Sequence, residues 1–399
     1  MHFMKKLLVI AATLAASSAF AGVKLEVRSD YVNTPDYDLN AGGATVNGTS
    51  LFTPSVARLY LNGNVGEAVI ESAWNLRSFA PESAYNPYTG SYEVFKNVTV
   101  DRFVDHLWAG KAMGQWMFKA GKLEVNTGGF ERQKSLHGDT YLVSMANSGQ
   151  GGTMLVAAGT TTTAQGYVQN PENSSGVSAA YGITENHKLE VQVTNQVNSS
   201  SITSSGTPPT AANTTRATDR GHTYGLNYLG SFVDKMLVLN VNYTAGTADT
   251  AAATGFTGQQ LEYISAGLRV APMADLTIDL EYFGNKNTIH SGATSTDVKT
   301  NSTIVEARYN INGWVPVLKY EMSENKASGI ATLPMGDFKR DAWALGVEYV
   351  PKADEAFRYH IAYSSSKDKD FHNSTAAYNN DVTKNMIVVG FKYTGDMAK

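Results

Sequence analysis

The chain has 399 residues and not one cysteine. That excludes a disulfide framework, a zinc–thiolate centre and a thiol nucleophile. Charge is scarce. Asp, Glu, Lys and Arg make up 17% of the chain, against roughly 25% in an ordinary soluble protein. The signs nearly cancel, with 32 basic and 36 acidic residues and a formal net charge of -4, so there is no basic field for nucleic acid. Proline (11) and glycine (36) are too few for a collagen-like or low-complexity tract. No stretch after the N-terminus approaches the length of apolar run that an inner-membrane helix needs. Apolar residues do not recur at three and four either, which argues against a helix bundle. A mean hydropathy of -0.24 nevertheless leaves the chain only mildly polar.

At the start, Lys5 and Lys6 precede an apolar run from Leu7 to Ala16, and Ala19-Phe20-Ala21 has the small-x-small form of a cleavage site. This predicts a secretory signal peptide over residues 1–21 and a mature chain of 22–399. The run is too short for a spanning anchor.

What fills the mature chain is period two. Leu276, Ile278, Leu280 and Tyr282 alternate with Thr277, Asp279 and Glu281. Val305, Ala307, Tyr309 and Ile311 alternate with Glu306, Arg308 and Asn310. The pattern returns in Trp343, Leu345, Val347, Tyr349; in Phe357, Tyr359, Ile361, Tyr363; and in Ile387, Val389, Phe391, Tyr393. Each segment therefore predicts a strand with one apolar and one polar face. A soluble sandwich makes the same alternation, but here the polar face is charged in mid-strand. Aromatics gather near strand ends on the apolar face: Trp314, Tyr309, Tyr349 and Tyr393 at one end, Tyr282, Trp343 and Tyr363 towards the other.

Connections alternate in length. Short turns are expected at Gly63–Gly66, Ala112–Gly114, Thr184–His187, Phe232–Lys235, Pro272–Asp275, Gly313 and Pro351–Glu355. Long Gly/Ser/Thr/Asn-rich connections lie between them, as in an outer-membrane barrel. Strand starts near Val23, Glu67, Gln115, Lys188, Met236, Leu276, Val315 and Ala356 in one direction, and near Pro54, Thr99, Gly176, Gly221, Gln259, Asn301, Arg340 and Thr383 in the other, give an all-β, transmembrane antiparallel barrel of sixteen strands, with 126–175 as one long connection. Two further strands near Thr140–Ala146 and Gly152–Thr161 would make eighteen. Sixteen strands about 4.8 Å apart and tilted near 40° give a diameter of about 32 Å, too wide for side chains to fill. Closure also pairs every backbone group within lipid.

The run Phe118-Lys119-Ala120-Gly121-Lys122 leads into Asn126-Thr127-Gly128-Gly129-Phe130-Glu131. Here the chain resembles the Gram-negative trimeric outer-membrane porin superfamily, whose fifth strand carries an aromatic-x-x-Gly-basic pattern. In that family the third loop folds into the barrel and narrows it with acidic residues. The resemblance implies that 126–175 is an inserted constriction loop, with Glu131 and Asp139 as its acidic residues and Arg58, Arg77 and Lys122 as basic residues opposing them across a transverse field. It also implies a homotrimer in a bilayer with lipopolysaccharide, passing small hydrophilic solutes. Two departures stand out. Family members end in a strand whose last residue is Phe, whereas Phe391 and Tyr393 are followed by six more residues. The third connection is also long, and its apolar middle, Thr153 to Ala158, is expected to pack on the inner wall.

Parity turns Glu26, Arg28, Glu71, Arg269, Glu306, Arg308, Lys319 and Arg358 towards the lumen, both signs in similar number. Cross-strand pairing and hydration account for such charges as readily as a field does. Strong ion selectivity does not follow, nor does a sugar pathway. The segment from Asp101 to Lys111 has charges at both parities and its faces are not assigned.

Other signals are weaker. Asp36-Tyr37-Asp38-Leu39-Asn40-Ala41 opens like a calcium loop but has Ala at the sixth place and Asn47 where a bidentate Glu belongs; a solvated loop suits it better, and no metal or cofactor is expected. His106 and His360 have no Ser partner at a spacing that suggests a hydrolase. The leading expectation is a passive channel, not an enzyme. A substrate-specific channel, a barrel enzyme and a soluble secreted β adhesin stand as alternatives.

Overall fold

The computed structural model describes residues 20–38, 45–46, 48–76, 82–86, 91–95, 104–148, 154–158, 161–167, 173–195, 200–204, 214–216, 221–248, 258–291, 294–328, 338–351, 356–372 and 379–396. Sixteen strands close into one antiparallel barrel. The first eight are β1 (Phe20–Thr34), β2 (Thr49–Val65), β3 (Ala68–Asn75), β4 (Val104–Met113), β5 (Trp116–Glu124), β6 (Asn173–Thr184), β7 (His187–Asn195) and β8 (His222–Phe232). The second eight are β9 (Leu237–Ala248), β10 (Gly258–Met273), β11 (Leu276–Ser291), β12 (Thr294–Tyr309), β13 (Trp314–Ser328), β14 (Phe338–Tyr349), β15 (Phe357–His372) and β16 (Asn379–Asp396). Each strand pairs with its sequence neighbours, and β1 pairs with β16 from Lys24 opposite Asp396 to Asn33 opposite Ile387. The seam removes the last open edge.

Two helices, α1 (Phe130–Leu136) and α2 (Met145–Ser148), lie in the connection after β5. Among the described residues no helix is long and apolar enough to cross a membrane, which says nothing of a barrel. The eighteen-strand alternative is corrected: Thr140–Ala146 is not a strand, and Met154–Ala158 pairs with Thr161–Tyr167 in a small sheet of its own. That small sheet also takes in Ser200–Ser204 and Thr214–Arg216. The side chains of Thr153 to Ala158, expected on the inner wall, lie outside the described residues, as does Arg77.

The burial pattern inverts that of a soluble protein. On β11 to β16 the polar parity is buried: Asp279, Glu281, Glu306, Lys319, Glu321, Glu348, His360 and Lys392. The apolar parity is exposed: Leu280, Tyr282, Val305, Leu318, Tyr320, Trp343, Leu345, Tyr359 and Ile361. Residues opposite one another in an antiparallel pair share a face, so the register carries one polar face round the whole barrel. The aromatics of the exposed face pair up, most of them near the strand ends next to the short turns. Trp314 and Tyr349 stand opposite one another with centroids 4.6 Å apart. Trp116 meets Tyr181 at 4.8 Å, Phe357 meets Tyr393 at 4.9 Å, and Trp343 meets Tyr363 at 5.2 Å. Such pairs contribute about 0.5–1.5 kcal/mol beyond their area.

The unassigned faces of β4 have a physical cause. Ala73 pairs with His106 but Trp74 pairs with Val104, so Asp105 is the extra residue of a bulge. A bulge breaks the period of two. It lets Asp105 reach Arg58 (2.6 Å) while its neighbour His106 reaches Glu71 (3.1 Å).

Candidate functional site

The polar face has two kinds of wall. Beyond Lys188 and Glu190 on β7 and Arg269 on β10, the wall from β7 to β10 is an uncharged ladder of Gln192, Thr194, Asn227, Asn240, Asn242, Thr244 and Ser265. Here Asn227 donates to Asn240 (2.9 Å) and Asn242 to Ser265 (2.9 Å). From β10 round to β2 it is charged and internally paired. Arg269 grips Asp279 with two hydrogen bonds of 2.7 and 2.9 Å. Arg308 donates to Glu306 (2.7 Å) and Glu348 (3.0 Å), and Arg358 to the other Glu348 oxygen (3.1 Å). Lys392 meets Glu26 at 2.6 Å, and His360 meets Asp30 at 2.7 Å.

The segment that leaves β5 is fastened to both walls. Its root lies on the amide ladder: the Asn126 N–H donates to Gln192 (3.3 Å), Thr244 donates to the Asn126 carbonyl, and Asn242 donates to the Gly128 carbonyl (3.0 Å). Residue 131 then begins the charged side. Its N–H donates to Glu281 (2.7 Å), and its carboxylate accepts from Lys319, from the Ser144 N–H (2.9 Å) and hydroxyl, and from Asn147. Phe130 lies under the Arg269 guanidinium, 4.2 Å from ring centroid to Cζ. Lys134 reaches Glu306 (2.6 Å) and Asp279 (2.5 Å). Beyond α1, the Met145 N–H donates to Glu321 (2.7 Å) and the Ala146 N–H to Ser302 (3.0 Å).

Four carbonyls in a row are taken by four wall cations. Leu136 accepts from Arg58 on β2, His137 from Lys392 on β16 (2.7 Å), Gly138 from Arg28 on β1 and Asp139 from Arg308 on β12. A helix ends with unpaired carbonyls and a partial negative charge, so cations belong there. The Asp139 carboxylate adds ion pairs to Arg358 and to Lys392 (2.8 Å). Burial alone would raise the Asp139 pKa, but Arg358 and Lys392 together hold it below its ordinary value. Tyr141 donates to Glu348 (2.9 Å) and packs on Arg28 and His360. Its burial and the nearby Glu348 charge push the phenol's pKa upwards.

Residues 23–394 match the family described as phosphate-selective porin O and P. The chain belongs to that family.

It is an outer-membrane diffusion channel of the bacterial outer membrane. The fold agrees with solved porins of low identity. The anion-selective porin from Comamonas acidovorans has a TM-score of 0.60 at 13% identity, over 94% of this chain and 98% of that one. The outer membrane channel DcaP of Acinetobacter baumannii gives 0.57 at 11%, over 94% and 96%. OmpF of Salmonella typhi, in complex with daunomycin, gives 0.51 at 12%, over 94% and 97%. No curated protein sequence matches the chain. Family and fold set aside the soluble adhesin.

Within this porin the register places Glu26, Arg28, Arg58, Glu71, Arg269, Glu306, Arg308, Lys319 and Arg358 on the polar face. Glu131 and Asp139 meet this charged wall through Lys319, Arg358 and Lys392. Lys122 does not join them. It stands opposite Leu107, on the parity of the exposed Phe118 and Val177, and donates to the Val104 carbonyl (2.5 Å). Lys119 takes the polar parity of β5 instead. The sequence reading missed Lys392, Lys134 and His137. Lys392 alternates with Val389-x-Phe391-x-Tyr393 and was available by parity. Lys134 lies on a helix that period two cannot reveal, and His137 is the residue that caps its C-terminal end.

Proposed function

We propose that the segment from residue 126 folds into the lumen as the constriction of a passive channel for small hydrophilic solutes and ions, assembled as a homotrimer. The four consecutive carbonyls held by Arg58, Lys392, Arg28 and Arg308 carry this reading. They tie one short stretch of chain to β16, β1, β2 and β12. The same pairing consumes the wall's cations. With Arg308 and Arg358 on Glu348, and Lys392 on Glu26 and Asp139, little unbalanced charge remains to sort ions. Weak charge selectivity follows, and planar-bilayer recording in a salt gradient tests it. Ohmic steps with a reversal potential near zero support the reading. Absence of conductance from folded protein defeats it.

A second reading is anion or phosphate selectivity, favoured by the family's description and by the anion-selective Comamonas porin. It predicts a reversal potential far towards that of chloride and block by phosphate. The homotrimer has the support of a related fold solved in a trimer form, OmpT of Vibrio cholerae (TM-score 0.53, 12% identity, over 94% of this chain and 98% of that one). Heat-dependent gel mobility with cross-linking tests it. We hold the protein not to be an enzyme: His106 and His360 are engaged by Glu71 and Asp30 in wall ion pairs, and replacing both should leave every measured property but stability unchanged. Lipopolysaccharide is the proposed outer-leaflet partner. Removal of residues 1–21 is proposed as well, and N-terminal sequencing of the mature protein should begin at Gly22.

A further inference from the structure

We propose that solutes pass the level of the inserted segment along the wall of β3 to β7, and that Lys119, Lys188 and Trp108 there select what crosses. The proposal rests on the diffusion-channel reading and locates its pathway.

The polar face is not evenly covered. Under the segment, Asp279 and Lys319 are 1% exposed as side chains, and Glu306 and Glu348 3%. On β3 and β7 the Glu71 and Lys188 side chains are 42% and 43% exposed. All of these lie in the halves of their strands next to the short turns, so depth does not explain the difference. The segment does: its bonds described above run to β1, β2, β7, β9 and β11 to β16, and α1 and α2 pack on β11 and β12. The charges of the other sector pair locally instead, Glu71 with His106 and Lys188 with Glu190.

That sector also breaks the aromatic rule. The chain has five tryptophans. Trp74, Trp116, Trp314 and Trp343 stand on the apolar parity, whereas Trp108 stands opposite Glu71 on the polar one. Its cross-strand partner is Gly121, at φ +136°, where a Cβ would meet the Trp108 backbone at 2.8 Å. The Lys119 ammonium sits 4.5 Å from the Trp108 ring centroid. An ammonium on an indole face is attracted by the ring quadrupole, and here it also stands within electrostatic reach of Glu71 and Glu190. Lys119 and Trp108 thus set a cation beside a flat apolar surface in this sector, with the two carboxylates near it.

The absence of native cysteine makes the test direct. Lys119→Cys and Lys188→Cys should react with a sulfonate-bearing methanethiosulfonate in the folded, conducting protein. Single-channel conductance should fall severalfold, and the reversal potential in a potassium chloride gradient should move towards potassium. Ala344→Cys, beneath the segment at 2% exposure, should neither react nor change. Lys119→Glu should shift the reversal potential the same way without reagent, and Trp108→Ala should change the conductance ratio of aromatic to aliphatic carboxylates at least twofold. Unaltered conductance after labelling at both lysines, or reaction and block at Ala344→Cys, would overturn the pathway. Wild-type protein that does not conduct would overturn the channel reading itself, so the two failures separate. Wild-type heat-dependent gel mobility establishes that each variant has folded.

Discussion

Lys319 on the barrel wall and Glu131 on the segment from β5 form an ion pair across 188 residues of sequence, with each side chain only 1% exposed. Such a pair is costly to bury and costlier to break, because one partner is then left charged and alone. Lys319→Met should therefore destabilise the folded barrel by about 3–5 kcal/mol, read from urea unfolding in detergent. Adding Glu131→Gln should recover more than half of the loss, since the amide oxygen still accepts from Ser144. A double variant whose loss equals the sum of the Lys319→Met and Glu131→Gln losses would show that the two residues act independently.

Acid should loosen the segment only below the ordinary carboxylate range. The folded Asp139 has a lowered pKa, so its stabilisation is complete above the unfolded value and disappears as pH falls through the folded one. Channel recordings from neutral pH downwards should stay level and then show a step in conductance or noise. Asp139→Asn should lack the Asp139 share of that step and carry the looser behaviour at neutral pH. A wild-type step at pH 6 would contradict the assignment.

Gly138 is the tightest point of the fastening. Its φ of +62° is a left-handed conformation, and a Cβ would come within 2.6 Å of Val56 and 3.2 Å of Arg28. Gly138→Ala costs about 1–2 kcal/mol for the backbone alone, before any displacement of Arg28. The variant should fold, conduct more and flicker. Val56→Ala in the same chain should restore part of the quiet state by removing the clash but not the dihedral strain.

The lipid face makes its own prediction. Leu345 is exposed at mid-strand on β14. Leu345→Arg should cost about 2–4 kcal/mol if this position lies at the bilayer midplane, measured as folding into lipid vesicles. Leu345→Met should be nearly neutral.

Much of the barrel was readable because period two is a local property. The expected starts at Lys188, Met236, Leu276, Val315 and Ala356 fall within one residue of the strands. Several starts on the long-loop side were read late, as at Asn301 for a strand beginning at Thr294 and Arg340 for one beginning at Phe338. There the strands run on with Ser, Thr, Asn and Lys at both parities, and nothing apolar marks a face. The site was less legible. Glu131 and Asp139 came from the resemblance, and their partners depend on which strand a loop meets after folding. Lys122 was misplaced because a basic residue after Gly121 matched a motif, while its register follows from Leu107 opposite. Asp105 hid behind a bulge, which one sequence does not announce.

The seam between β1 and β16 has a bearing on how the molecule is made. Lys392 belongs to the strand formed from the end of the chain, and it holds the His137 carbonyl, the Asp139 carboxylate and Glu26 of the first strand at once. Arg358 makes a second grip from β15. Lys392 can join Glu26 to the segment only once β16 lies beside β1, so in the constriction proposed above this part of the fastening is completed as the final strand docks. The holds of Arg308 and Lys319 lie away from the seam, on β12 and β13, whereas this one lysine ties the segment to the first and final strands together.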